Sequence, residues 1–166
     1  MSLKKIPLTA LLVGLALGIL IKTFALDILR ISGESMEPTF SDGDIVLVNK
    51  LAYGLVKPDN KNFFIQWSSP KENDCVIYLH ENKIVIKRCV ATEKTHLEFF
   101  SDSDYTMCVG EKKIPLTEMQ FASLSPSREV PASYIFALGD NLDSSIDSRH
   151  YGFVSTKNIV ARILFQ

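Results

Sequence analysis

The chain has 166 residues, is 46% hydrophobic and carries a net charge of −1, which is enough for one domain with a sizeable core. It has no basic stripe, which argues against a nucleic-acid partner. Its three cysteines, Cys75, Cys89 and Cys108, fit no zinc spacing and are too few for a disulfide framework. Each reads as a small buried apolar residue. One bridged pair stays open if the domain lies outside the cytoplasm.

The chain begins with a short tail, residues 1–5, which carries Lys4 and Lys5. An apolar run, residues 6–26, follows and is uncharged until Lys22. As a helix rising ~1.5 Å per residue it would reach ~30 Å, the thickness of bilayer hydrocarbon. It predicts a transmembrane anchor, with Lys22 snorkelling to the far headgroups. The N-terminal lysines favour a cytoplasmic tail, which puts residues 27–166 on the outer side. Two other readings stand beside this one. A cleaved secretory signal would use Thr23-Phe24-Ala25 as a passable cleavage site. A buried core helix would normally show a polar face, and none occurs before Lys22.

Next comes Ser32-Gly33-Glu34-Ser35-Met36-Glu37-Pro38-Thr39-Phe40. Gly33 loosens the backbone and Pro38 pushes Glu37 away from helical dihedrals, so the stretch reads as a loop. It leads into a strand over residues 44–51. Residues 52–60 read as loop, and residues 61–71 as a strand ending in a turn. The aromatics Phe63, Phe64 and Trp67 there read as core or as an edge dipping into a membrane. Residues 75–79 and 84–91 predict a hairpin around a polar break. Alternation puts Val85, Lys87 and Cys89 on one face and Ile84, Ile86 and Arg88 on the other.

Residues 92–126 are the least legible, with short strands expected at 97–100, 106–109 and 113–116. Residues 134–138 predict a strand that delivers a polar block opening on Gly139-Asp140-Asn141 and closing on Asp147-Ser148-Arg149. Residues 151–165 read as a last strand or two. The fold expected is mainly β: an N-terminal transmembrane helix followed by a compact all-β domain.

A serine in a tight loop and a lysine on an apolar strand suggest nucleophile and base. A serine hydroxyl is weak until a base takes its proton. Lysine can do so only when neutral, and its ordinary pKa of about 10.4 forbids that at pH 7 unless burial lowers it. Arginine could not substitute. Such a site needs neither histidine nor metal, and His80, His96 and His150 lack ligand spacing. No metal and no cofactor are expected.

Three blocks together resemble type I signal peptidases, the bacterial leader peptidase family. They are Ser35-Met36-Glu37-Pro38-Thr39, Ile86-Lys87-Arg88, and Gly139-Asp140-Asn141 through Asp147-Ser148-Arg149, in that order behind an apolar segment. The resemblance covers most of the chain but little of residues 92–133. It implies a serine–lysine dyad with Ser35 as nucleophile and Lys87 as general base. It also implies that Ser145 hydrogen-bonds near the lysine nitrogen, that Asp147 with Arg149 fixes the loop, and that Asp140 pairs with Arg88. By the same matching, Ile31, Met36 and Ile86 line shallow pockets for small substrate side chains.

The implied substrates are exported precursors bearing signal peptides. The implied location is the bacterial inner membrane, single-pass, with the catalytic domain on the outer side of the lipid bilayer. There are departures. Gly33 stands where some members carry a serine that helps the oxyanion hole, which leaves the Ser35 backbone N–H. Leu142 replaces a usual arginine, and Ala91-Thr92-Glu93-Lys94 replaces a glycine- and proline-containing turn. Alternatives are a related Ser–Lys peptidase of the conjugative-transfer type, a self-cleaving repressor of the SOS type, and a non-catalytic anchored β-domain in which Ser35 and Lys87 lie apart.

Overall fold

A computed structural model describes residues 8–57 and 63–165. The expected tail and the first two residues of the expected anchor lie outside these. Helix α1, Leu8–Phe24, spans 17 residues and buries none of them. Leu8, Leu12, Leu15 and Ile19 are each more than half exposed, which excludes the buried core helix. Among the described residues no helix is long and apolar enough to cross a membrane. The helix also stops before residue 26. Leu26 already pairs with Asn49 in strand β1, Leu26–Arg30, an element not expected from the sequence.

The main sheet has the order β1-β2-β12-β5-β6-β10-β11. Its members after β1 are β2 (Ile45–Asn49), β5 (Cys75–His80), β6 (Lys83–Ala91), β10 (Tyr134–Leu138), β11 (Val154–Ser155) and β12 (Ile159–Phe165). All of its pairings are antiparallel. Alternation sets the two faces. In β2, Val46 and Val48 are buried while Ile45 faces out. The expected hairpin is β5–β6, turning at Glu81 and Asn82, both with positive φ.

One face of the sheet packs Val46, Val48, Ile77 and Ala161 against Ile31, Met36 and Phe40 from the loop after β1. The other face packs Val76, Tyr78, Cys89 and Ala137 with Tyr53 and Val154. Tyr53 comes from the stretch beside a small two-stranded sheet, β3 (Gly54–Val56) with β4 (Phe63–Gln66). Gly54 is forced there, because a Cβ would run into the Ile65 carbonyl and the Phe63 ring.

The segment between β6 and β10 folds as a three-stranded meander, β7 (Glu98–Phe100), β8 (Thr106–Val109) and β9 (Lys112–Pro115), followed by helix α2, Glu118–Leu124. Its apolar residues, Leu97, Met107, Ile114 and Leu124, share one core with Phe136 and Leu138 of the main sheet. Helix α2 was not expected. Its signal is the capping box of Thr117 with Gln120, in which each residue satisfies a backbone N–H that the helix start leaves open. A one-turn helix, α3, Ser148–Tyr151, begins at Asp147 in the same way. The mainly β expectation otherwise holds.

Candidate active site

β6 supplies the amine. Because alternate side chains cross the sheet, Lys87 shares its face with Val85 and Cys89 and is only 4% exposed. Its Nζ donates to Ser35 Oγ at 2.7 Å. Among the described residues Lys87 has no salt-bridge partner. Burial pushes its pKa below the ordinary lysine value. Asp147 and Asp140 pull it back up less strongly, and Arg149 adds to the depression. Low dielectric disfavours a charged amine when no counter-ion is close.

Ser35 lies on a loop held at both ends. Ile31 N donates to Asp44 O at 2.8 Å and Gly43 N returns to Ile31 O at 3.0 Å. Gly33 has a φ of +91° and its N–H donates to Asp42 Oδ1 at 2.8 Å. A side chain would be strained at that φ. Met36 and Phe40 anchor the loop in the core. The Ser35 carbonyl accepts from Asn141 N at 3.1 Å. The Ser35 N–H is not engaged by any described residue.

The second loop, residues 139–149, closes over the first. A Cβ at Gly139 would collide with the Ser35 carbonyl and with Ser145 Oγ, so only glycine lets the two loops approach this closely. Asp140 takes a two-pronged contact from Arg88, Nε to Oδ1 at 2.8 Å and Nη2 to Oδ2 at 2.6 Å. Thr39 Oγ1 also donates to Asp140 Oδ2, at 2.6 Å, and so ties the serine loop to the same carboxylate. The sequence reading gave Thr39 no role. Nothing local marks it, because its partner is 101 residues away.

Asp147 is fully buried and Arg149 nearly so. Arg149 Nε donates to Asp147 Oδ1 at 2.9 Å and Nη2 to Oδ2 at 3.1 Å. Arg149 Nη2 also holds the Leu142 carbonyl at 2.6 Å. Gly139 N donates to Asp147 Oδ2 at 3.1 Å. Burial pushes the Asp147 carboxyl up, but the Arg149 guanidinium, the Ser145 hydroxyl and the Gly139 N–H outweigh it and hold the group below its ordinary value.

Ser145 Oγ is buried among the loops and makes no hydrogen bond of good geometry among the described residues, although its hydroxyl helps to hold the Asp147 carboxyl down. The Leu142 side chain, at the position of the usual arginine, packs against the core cluster that includes Leu138.

Ser35 and Lys87 open into a cleft of about 470 Å³ that Ile31, Met36, Ile86 and Ile146 also line. Ile31 and Met36 are buried and Ile146 is 71% exposed, so the first two form floor and the last a rim. Above the dyad, β10 ends at Leu138 opposite Arg88. Among the described residues no strand covers the free edge of β6 from Lys83 to Lys87. The three cysteines are free. Burial raises the Cys89 thiol to about 12, so it stays protonated and inert. His80 stacks on Tyr151, His96 bridges to Glu129 and His150 contacts Gln120. None lines the cleft. Among the described residues no cluster of three or more His, Cys, Asp or Glu side chains is placed to hold a metal.

The family model described as Signal peptidase, peptidase S26 matches residues 3–166. The chain belongs to this family. Individual relatives are distant. Signal peptidase I of Buchnera aphidicola subsp. Baizongia pistaciae is 24% identical over 219 aligned positions, covering 88% of this chain and 71% of that protein. Signal peptidase I of Bacillus caldolyticus is 29% identical, covering 82% and 76%. Thylakoidal processing peptidase 1 of Arabidopsis thaliana is 31% identical over 82% of this chain but only 40% of its own length. For this signal peptidase-family chain, the 2.7 Å contact of Ser35 with Lys87 also runs against the non-catalytic reading, which kept the two apart.

Proposed function

We propose that this chain removes signal peptides from exported precursor proteins, with Ser35 as nucleophile and Lys87 as general base. The observation that carries the reading is a buried amine, without a counter-ion and depressed in pKa, that touches a loop serine at 2.7 Å. The neutral amine takes the hydroxyl proton as Oγ attacks the carbonyl carbon of the scissile peptide bond. The resulting ammonium gives that proton to the leaving amine, and the bond breaks to an acyl-enzyme. Water, deprotonated by the same amine, then releases the acyl group. The unengaged Ser35 N–H is the donor for the developing oxyanion. Ile31, Met36 and Ile86 receive small side chains before the cut. Asp147 with Arg149, and Asp140 with Arg88, hold the second loop against the first.

The chain works at a membrane, on this reading. Helix α1 carries no charge before Lys22 and buries none of its residues, and residues before it extend the run. A bilayer around residues 6–26 would cover that surface, with the tail cytoplasmic and the domain outside. β1 then starts directly above the lipid, near substrates held in the same bilayer.

Ser35→Ala and Lys87→Ala test the chemistry. Each is expected to lower precursor cleavage at least ~1000-fold while circular dichroism and thermal unfolding stay near those of the parent chain. Cleavage retained in the folded Lys87→Ala chain would sink the base assignment.

A further inference from the structure

Where helix α1 meets the sheet, the chain forms an elbow with two cavities that peptide cleavage does not use. The first measures about 300 Å³, and Lys22, Lys50, Lys57, Asp27 and Val56 are among its lining residues. Three lysines thus line it against one carboxylate. Lys50 is already engaged. Its Nζ meets Asp27 Oδ2 at 2.8 Å and donates to the Lys22 and Thr23 carbonyls at 3.4 and 3.5 Å, which closes the C-terminal end of α1. Lys22 and Lys57 have no ion-pair partner among the described residues. Lys57 Nζ stands over the Phe64 ring, 5.9 Å from its centroid, and a ring face attracts an ammonium without neutralising it. The chamber therefore carries two uncompensated positive charges.

The second cavity measures about 410 Å³ and shares Lys22 and Asp27 with the first. Its other lining residues carry no polar side chain: Gly18 and Ile21 from α1, Leu26 and Ile28 from β1, and Leu47 from β2. Gly18 leaves it open, since a Cβ there would meet nothing within 4 Å. Ile28 and Leu47 are directly paired across the β1–β2 ladder, so the sheet wall of this groove is continuous. A cationic chamber and an apolar groove thus meet at Lys22. Inorganic phosphate would fill only the first and a hydrocarbon only the second, whereas a phospholipid fills both.

We infer that this elbow binds one anionic phospholipid, its phosphate between Lys22 and Lys57 and an acyl chain along the groove. The inference rests on the membrane reading of α1. Lys22 stands in the last turn of a helix that buries none of its residues, and long lysine side chains at such an end reach for headgroups. Val56, at the chamber, pairs with Phe63 of β4, and beyond it Phe64 and Trp67 are 60% and 56% exposed. Exposed aromatics of this kind collect at the headgroup level. The surplus of positive charge selects a lipid with net negative charge over a zwitterionic one, whose own ammonium the lysines would repel.

The test reconstitutes the full chain into phosphatidylcholine bilayers that carry a trace of spin-labelled phosphatidylglycerol or spin-labelled phosphatidylcholine. Electron paramagnetic resonance separates label held by the protein from label in free lipid. The relative association of the glycerol lipid over the choline lipid is expected to be at least about threefold. Lys22→Gln combined with Lys57→Gln should bring that ratio close to one. Gly18→Leu puts a side chain into the groove while keeping both lysines, and should lower the ratio as well. Gly14→Leu, equally free of neighbours and lining neither cavity, should leave it unchanged. Inorganic phosphate should not compete when compared with chloride at equal ionic strength. Equal association of the two lipids, a ratio that survives the double lysine variant or Gly18→Leu, an equal fall in Gly14→Leu, or loss to phosphate would overturn the site. A chain that fails to float with the bilayers would overturn the membrane reading, and this inference with it.

Discussion

Lys87 and Arg88 are neighbours on β6, yet the two faces of the strand treat their charges in opposite ways. Arg88 meets Asp140 in a two-pronged contact, with Thr39 and the Asn73 carbonyl around it. Its hydrogen bonds to Asp140 hold its pKa above the ordinary value. Lys87 meets apolar side chains and a neutral hydroxyl, and its pKa falls. The carboxylate that acts on it most, Asp147, is already bound by Arg149. A strand can thus present a fixed cation for structure and a deprotonatable amine for chemistry side by side, provided each carboxylate is assigned to a different arginine.

The largest effect expected from this contrast is in the pH profile. Only neutral Lys87 can accept the Ser35 proton, so kcat/KM on a precursor should rise with pH, about tenfold per unit on the acid limb, to a midpoint below the ordinary lysine value of ~10.4. A midpoint at or above that value would erase the difference between the two faces.

Arg149→Gln should sharpen it. Losing the guanidinium leaves Asp147 buried without its partner, at a cost of about 3–5 kcal/mol in denaturant unfolding. It also frees a carboxylate to favour the ammonium form of Lys87, so the activity limb should move to higher pH. The sign of the acid dependence follows as well. Asp147 titrates below its unfolded value, so its stabilisation is complete above about pH 4 and is lost as pH falls through the lower folded value. Arg149→Gln should flatten that acid loss. An unmoved limb in a folded Arg149→Gln chain would mean Asp147 does not reach Lys87 electrostatically.

The smallest effect belongs to the Arg88 face. Thr39→Val removes one hydrogen bond to a charged acceptor that keeps its arginine, so about 1–2 kcal/mol of stability should go, with the pH limb unmoved. A shifted limb would couple the two faces.

Much of this arrangement was legible from local pattern. Gly33 and Pro38 marked the serine loop, and period-two alternation put Lys87 with Val85 and Cys89, which are on one face in the structure. The β5–β6 hairpin and β10 also followed from apolar runs and turn residues. Elements were missed where the local signal was weak or was attributed to something else. β1 was absorbed into the end of an apolar run, because Leu26-Asp27-Ile28-Leu29-Arg30 becomes a strand only by pairing with β2. α2 carried its capping box at Thr117 and Gln120 inside a stretch of short strands.

The sequence by itself determined which residues bring chemistry and which way their strands turn them, because turns and alternation depend on near neighbours. The meeting of those residues was decided only in three dimensions. Ser35 reaches Lys87 across 52 positions and Thr39 reaches Asp140 across 101. Contacts of that range exist only after the sheet has brought β6 and β10 together.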